Sequence, residues 1–367
     1  MKQRIIDCIQ KEGPLRVSQY MQMCLYDLQD GYYVTQDPFG AQGDFTTAPE
    51  LTPLFGEMLG LWVAATWQQM GAPEAFALTE LGPGRGTLAA DILTAIKKAA
   101  PDCLNACQLH LVEISPCLQE KQQQTLSDAP CAVSWHKNVA DIPADMPIIA
   151  IGNEILDAMP TNQYEKLENG KVYERLVTTD GKTLHFTHSE TEAKDINAAT
   201  KFTEHSPAML GFLDEIKAKL KNGVLLLLDY GTNQIPDNAQ NSPVSGDTLQ
   251  AVRQHQYEDI FAAPGKADIT WHINFPAVCA KLGSENCQLT DMGLFLAEIG
   301  LPVRAEQAHR AAQGSAQKEH IEQSVRRLID PNQMGAHFKV LGWQPQKKIN
   351  LAGFAHIGNA GFETKEQ

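Results

Sequence analysis

Apolar positions change period along the chain. Up to about residue 71 they recur at helical spacing. Ile5, Ile6, Cys8 and Ile9 share a face, 18–28 continues the pattern, and 54–70, rich in Leu, Phe, Met and Trp, predicts a long buried helix. An irregular stretch, Gly31-Tyr32-Tyr33 through Ala48-Pro49-Glu50, interrupts them. From residue 75 onward short apolar runs alternate with helical stretches. The pattern predicts strands at 75–81, 110–114, 133–135 and 148–151, with helices at 87–99 and 116–126. The run 224–229 is all Val and Leu up to Asp229, with no polar alternation. Such runs fit strands buried on both faces of a parallel sheet, and their alternation with helices implies βαβ units. The predicted fold class is therefore α/β, a doubly wound, Rossmann-like core carrying an N-terminal helical extension and cap or insertion elements.

Between the last two strands the texture differs. Segments 163–167, 171–177 and 183–187 read as strands separated by Asn169-Gly170 and Asp180-Gly181, dipeptides that favour tight hairpins. This predicts an antiparallel insertion. Residues 231–246 are rich in Asn, Pro, Ser and Gln and are long for a connection. Residues 247–301 read as mixed helix and loop, and the region 321–351 as a helix followed by an apolar strand at 338–343. The predicted division is 1–74 as the extension, 75–235 as the cofactor-binding core with its insertion at about 162–188, 236–325 as a cap or substrate region, and 326–367 as the helix and strands that complete the core sheet.

Composition narrows the function. The net charge of −14 disfavours tracking of a phosphate backbone, so no nucleic-acid partner is expected. An acidic field would attract a cationic substrate, although −14 also serves solubility alone. The eight cysteines form no C-x-x-C pair, which argues against zinc and thioredoxin-like chemistry. Cys103 and Cys107 would lie four apart on a helix, as reduced thiols rather than metal ligands. No segment approaches the ~20 consecutive apolar residues of a membrane helix, and the N-terminus shows neither a signal-peptide core nor an Arg-rich transit pattern. No membrane span and no metal are expected, and the chain reads as cytoplasmic. The oligomeric state is not readable.

The strongest local signal is Glu80-Leu81-Gly82-Pro83-Gly84-Arg85-Gly86, which follows a predicted strand and opens a helix at Thr87. Gly82, Gly84 and Gly86 let the backbone approach a ligand closely. A triphosphate-binding loop would need a lysine followed by Ser or Thr after its last glycine, and Thr87-Leu88 follows here. A dinucleotide would place its pyrophosphate at the helix N-terminus, where the carboxylate of Glu80 would repel it. S-adenosylmethionine carries an ammonium and a sulfonium, which a carboxylate attracts. The sign of the charge favours the methyl donor over an NAD-type oxidoreductase cofactor. A glycine-rich turn that serves packing alone remains the plain alternative.

Glu113, in Leu111-Val112-Glu113, sits where a carboxylate accepts hydrogen bonds from ribose hydroxyls, a role NAD would use as well. It could instead be an acid at the start of the helix that follows. Asn153-Glu154-Ile155-Leu156-Asp157 follows the strand 148–151. On a helical turn Glu154 and Asp157 would share a face and could clamp a guanidinium or position a proton acceptor; capping by Asn153 with two solvated acids is the simpler reading. His272 follows a long Pro- and Gly-containing loop and is a candidate lid residue, though a lone His is more often structural. Trp135 to Lys137 could flank an adenine, and Asp44, Thr47 and Pro49 lie in the irregular N-terminal stretch that could close over the site.

In combination these segments resemble the MidA-like family of class I methyltransferases, which includes the mitochondrial complex I assembly factor that methylates arginine. The matching residues are Gly43-Asp44-Phe45-Thr46-Thr47-Ala48-Pro49-Glu50, Phe55-Gly56-Glu57, Glu80 through Leu88, and Leu111-Val112-Glu113-Ile114-Ser115-Pro116. They continue through Asn153 to Pro160, Leu228-Asp229-Tyr230-Gly231, Asp268 to Phe275, and Met334-Gly335 with Phe338-Lys339-Val340-Leu341. They span nearly the whole chain in order. Departures from the family pattern occur at Thr290-Asp291-Met292-Gly293, and at Ile155 and Leu156, where some relatives carry aromatic residues. The resemblance implies a seven-stranded doubly wound core, S-adenosylmethionine as cofactor, and a protein arginine as acceptor, with a respiratory complex I subunit as the candidate substrate. The candidate residues are then Glu80, Gly82, Gly84, Gly86, Glu113, Asn153, Thr47 and Pro49 for cofactor binding, and Glu154, Asp157 and His272 for catalysis. A non-catalytic assembly protein with a retained cofactor pocket, or an NAD-type oxidoreductase, are the competing readings.

Overall fold

The structure is a computed structural model that describes residues 1–35, 47–196, 198, 201–233 and 247–357. Over these the chain divides into two units, each assembled from separated stretches. One comprises Met1–Phe45, Leu156–Phe212 and Gln234–Ile273; the other comprises Thr46–Ile155, Leu213–Asn233 and Asn274–Gln367. This differs from a division into consecutive segments, because strands that share a sheet come from distant parts of the chain.

The second unit holds a sheet of seven strands along one hydrogen-bonded path: β1 Phe76–Leu81, β2 Cys107–Val112, β3 Ala132–His136, β4 Ile148–Asn153, β5 Gly223–Thr232, β6 Cys287–Asp291 and β7 Phe338–Trp343. Their order is β3-β2-β1-β4-β5-β7-β6. β1 to β5 are mutually parallel, while β7 runs antiparallel to both β5 and β6. Leu225 to Leu228 of β5 are fully buried, as the unbroken Val/Leu run requires of a strand covered on both faces. The order reverses between β1 and β4, and in such sheets ligands bind at the carboxyl ends of the strands beside that switch point.

One face of the sheet packs on the helices Pro53–Gln69 and Thr87–Ala99, with Leu78, Leu109, Leu111, Ile149, Ile151, Leu226 and Leu228 in the shared core. Gly56 and Gly60 let those two helices approach closely. A Cβ on Gly56 would lie 2.4 Å from the Asp91 Cβ, and one on Gly60 2.7 Å from the Ala95 Cβ. Strand alternation sends Trp343 to the opposite face, where its Nε1 donates to the Leu282 carbonyl at 3.1 Å and ties down the helix Phe275–Leu282.

The first unit is built on an antiparallel sheet. Asn162–Lys166, Val172–Thr179 and Leu184–Glu192 are the predicted hairpins, with Gly170 and Gly181 at φ 77° and 90° in the turns. The sheet also takes Phe202–His205 and, from the N-terminal region, Leu15–Arg16. Ile5, Ile6 and Ile9 of the helix Lys2–Glu12 are buried, as their spacing predicts. A second sheet joins Gln256–Glu258, Gln250–Arg253 and Asp268–Thr270. Cys103 and Cys107 do not share a helix: the helix ends at Ala106, and Cys107 opens β2.

Candidate functional site

Every residue of β1 is buried, so the strand carries Glu80 into the interior. Glu80 is 5% exposed, and its Oε2 has no hydrogen-bond partner among the described residues. Burial pushes this carboxyl up to about 8; a backbone N–H from Ala89 opposes the rise, and Asp91 and Glu113 add to it. At pH 7 Glu80 is therefore mostly a neutral acid, and a cation brought beside Oε2 would favour its ionised form.

The loop after β1 has Gly82, Gly84 and Gly86 at φ 65°, 53° and 80°. These are left-handed values that side chains with a Cβ resist, and they leave the backbone open as it enters the helix Thr87–Ala99. Glu50 holds this loop from one side. Its Oε1 accepts the Thr87 hydroxyl at 2.8 Å, and its Oε2 lies 3.8 Å from Nη1 of Arg85. Glu50 stands in the short helix Ala48–Leu51, where Thr47 is the N-cap and Pro49 lies in the first turn.

Glu113 immediately follows β2, which ends at Val112 rather than at 114, and its N–H extends the ladder to the His136 carbonyl at 2.9 Å. It is 7% exposed. Burial raises its pKa, while hydrogen bonds from its surroundings lower it. Oε1 accepts from the Ser115 N–H at 2.8 Å and Oε2 from Nε2 of Gln122 at 3.1 Å. Gln122, on the helix Pro116–Thr125, also donates to the Gly84 carbonyl at 2.8 Å, and its Oε1 accepts Nε1 of Trp135 at 3.1 Å. The structure thus brings Glu80, the three glycines, Glu113 and Trp135 together at the ends of β1, β2 and β3. Sequence reasoning missed Gln122, which lies in a run of three glutamines with no distinguishing pattern. It also gave Glu50 no role, although an arginine inside the loop is a signal for a facing acid.

Asn153 closes β4, where its Nδ2 donates to Oε1 of Glu154 at 3.1 Å. Glu154 follows at φ 52°, an uncommon conformation for a residue with a Cβ, and its N–H reaches the Leu228 carbonyl at 2.8 Å. Residues 154–160 are bends and turn rather than a helix. The helical spacing expected to align Glu154 with Asp157 is therefore not formed. Asp157 belongs to the first unit, is 6% exposed, and accepts the Trp271 N–H at its carbonyl at 3.2 Å. His272, also in the first unit, donates its backbone N–H to the Thr248 hydroxyl at 3.1 Å. Asp44 and most of the 231–246 loop lie outside the described residues.

The fit to S-adenosylmethionine rests on Glu80. A buried carboxyl oxygen that lacks a hydrogen-bond partner among the described residues, beside a loop of left-handed glycines, suits an ammonium, which would draw the group into its ionised form. Comparison with known proteins agrees. Residues 58–294 match the family described as S-adenosyl-L-methionine-dependent methyltransferases. The protein arginine methyltransferase NDUFAF7 homolog, mitochondrial, of Drosophila melanogaster is 32% identical over 91% of this chain and 82% of its own length. The human protein arginine methyltransferase NDUFAF7, mitochondrial, is 27% identical over 93% and 82%. A Burkholderia thailandensis crystal structure bound to S-adenosyl-homocysteine superposes with a TM-score of 0.82 at 26% identity, covering 96% of this chain and 93% of that one. The chain belongs to the S-adenosyl-L-methionine-dependent methyltransferase family.

Proposed function

We propose that this methyltransferase modifies arginine side chains of a protein substrate. The observation that carries the cofactor half of this reading is the buried, unpartnered Oε2 of Glu80 beside the glycine loop. Support for the acceptor comes from the relatives named protein arginine methyltransferase. The family resemblance extends the proposal to a subunit of respiratory complex I.

When bound, the cofactor supplies a methyl group activated on a sulfonium. The chain's own residues bind and orient. Glu80 receives the ammonium end, the backbone at Gly82, Gly84 and Gly86 makes room for it, and Glu113 accepts from the ribose hydroxyls. Thr47, Pro49 and Asn153 line the approach. Glu154, at the end of β4, pairs with the acceptor guanidinium. A guanidinium nitrogen held there by Glu154 would face that methyl group and accept it, leaving the thioether behind. The product remains a cation, so one proton leaves, and the Glu154 carboxylate takes it. Most of the acceleration comes from holding donor and acceptor in line. Asp157 and His272 carry their assignment to the acceptor from the sequence alone.

The test is transfer of a labelled methyl group from S-adenosylmethionine into cell extract or a candidate complex I subunit, followed by hydrolysis and amino-acid analysis. Label in methylarginine, lost with Glu154→Gln while S-adenosylhomocysteine still binds, supports the proposal. Cofactor binding with no transfer to any protein would indicate a non-catalytic assembly role. Label confined to another residue type would remove arginine.

A further inference from the structure

We infer that Gln122 is a positioning residue of the cofactor site, one side chain that sets the glycine loop, the ribose carboxylate and the adenine-side tryptophan in register. Gln122 is fully buried, and its amide makes three hydrogen bonds, each to a different element. Nε2 donates to the Gly84 carbonyl at 2.8 Å and to Oε2 of Glu113 at 3.1 Å, while Oε1 accepts from Nε1 of Trp135 at 3.1 Å. The donor end thus faces two acceptors and the acceptor end faces a donor, so only one orientation of the amide satisfies all three partners.

The three partners belong to three successive βα units. Gly84 lies in the loop after β1, Glu113 follows β2, and Trp135 is near the end of β3. Among the described residues Gln122 is the side chain that bonds to all three positions. The backbone of Gln122 is close as well: a Cβ built on Gly86 would lie 3.5 Å from the Gln122 Cα. Gln122 therefore fixes the rotamer of Glu113 and the height of the glycine loop together. A buried carboxylate held this way has less freedom to lose when a ribose arrives.

The experiment uses the full-length chain and calorimetric titration with S-adenosylhomocysteine, with circular dichroism and Tm on each variant. Gln122→Met keeps the length and removes all three hydrogen bonds. It should weaken binding by about tenfold or more, since charged hydrogen bonds to Glu113 set the scale. Because Gln122 acts largely through Glu113, the loss must shrink when Glu113 is already alanine: the double variant Gln122→Met/Glu113→Ala should bind better than the product of the two single losses predicts. Gln122→Glu supplies a second readout. Its new carboxylate faces Glu113 and cannot donate until protonated, so its affinity relative to the natural chain should be poorest at pH 8 and recover toward pH 6. Wild-type affinity in folded Gln122→Met, or purely multiplicative losses in the double variant, would overturn the inference. If Gln122→Met does not fold, a pH-independent affinity ratio for Gln122→Glu overturns it instead.

Discussion

The ends of β1 and β2 each place a buried glutamate at the proposed cofactor site, and the two are prepared in opposite ways. Glu80 has an oxygen with no hydrogen-bond partner among the described residues, and burial pushes its pKa up to about 8. Glu113 has a donor on each oxygen, from Ser115 and Gln122. The first is unsatisfied until a cation arrives. The second is arranged before any ligand arrives, and it accepts further hydrogen bonds through its remaining lone pairs. Burial alone therefore does not describe a binding carboxylate; which of its bonds the fold has already made decides what the ligand must bring.

The largest effect should come from the loop that both glutamates flank. Gly84→Val puts a β-branched side chain at φ 53°, a conformation such residues rarely adopt. Calorimetry should detect no S-adenosylhomocysteine binding, while far-ultraviolet circular dichroism stays near that of the natural chain. Normal binding would show that the loop is not the cradle.

Glu80→Gln sharpens the contrast next. It keeps the shape and removes the charge that would meet an ammonium, so affinity should fall by roughly ten- to a hundredfold, the scale of a hydrogen bond to a charged group. Its stability should move the other way. A carboxyl raised to about 8 in the folded state binds a proton that the unfolded chain has released above its ordinary value near 4.5. Folding then becomes less favourable as pH rises from 4.5 through 8. Glu80→Gln lacks this penalty, so its Tm advantage over the natural chain should be small at pH 5 and larger at pH 8. An advantage that does not grow with pH would contradict the protonated state assigned to Glu80.

Glu113→Ala should lose on both counts. It should weaken binding by about tenfold and leave the Ser115 N–H and one N–H of the Gln122 amide without an acceptor, at a cost of about 2 kcal/mol, or roughly 3 °C in Tm for a chain of this length. An unchanged Tm would mean that the arrangement around Glu113 forms only with ligand. The smallest change should be Trp135→Phe. It removes one neutral hydrogen bond to Gln122 and should reduce affinity by only about three- to tenfold, read by the same titration.

Much of this was legible in the sequence. The Val/Leu run of β5, the glycine loop, the strand that carries Glu80 and the strand that ends just before Glu113 show local signals, because a parallel strand buried on both faces leaves little choice of residue. The helix Thr87–Ala99 and the strand Phe338–Trp343 fall where periodicity places them. What the sequence did not yield depends on partners distant in the chain. Leu15–Arg16 joins a sheet with Val172–Thr179, and no local pattern announces that pairing. The turn at Glu154 replaced an expected helical spacing because its left-handed backbone is set by the bond to Leu228, on a neighbouring strand. Gln122 matters through three partners spread across the site, and a run of glutamines looks the same whether buried or solvated.

Glu80 and the glycine loop are proposed to receive a cationic S-adenosyl cofactor. Titration of S-adenosylhomocysteine at pH 7 in buffers of different ionisation enthalpy tests it most directly. Binding should raise Tm, by about 2.7 kcal/mol of stability at a hundredfold excess over Kd. It should also release a proton, because the ligand's ammonium stabilises ionised Glu80, and this release should vanish in Glu80→Gln. NAD should neither bind nor stabilise. Binding of S-adenosylhomocysteine with no proton released, or stabilisation by NAD in its place, would contradict it.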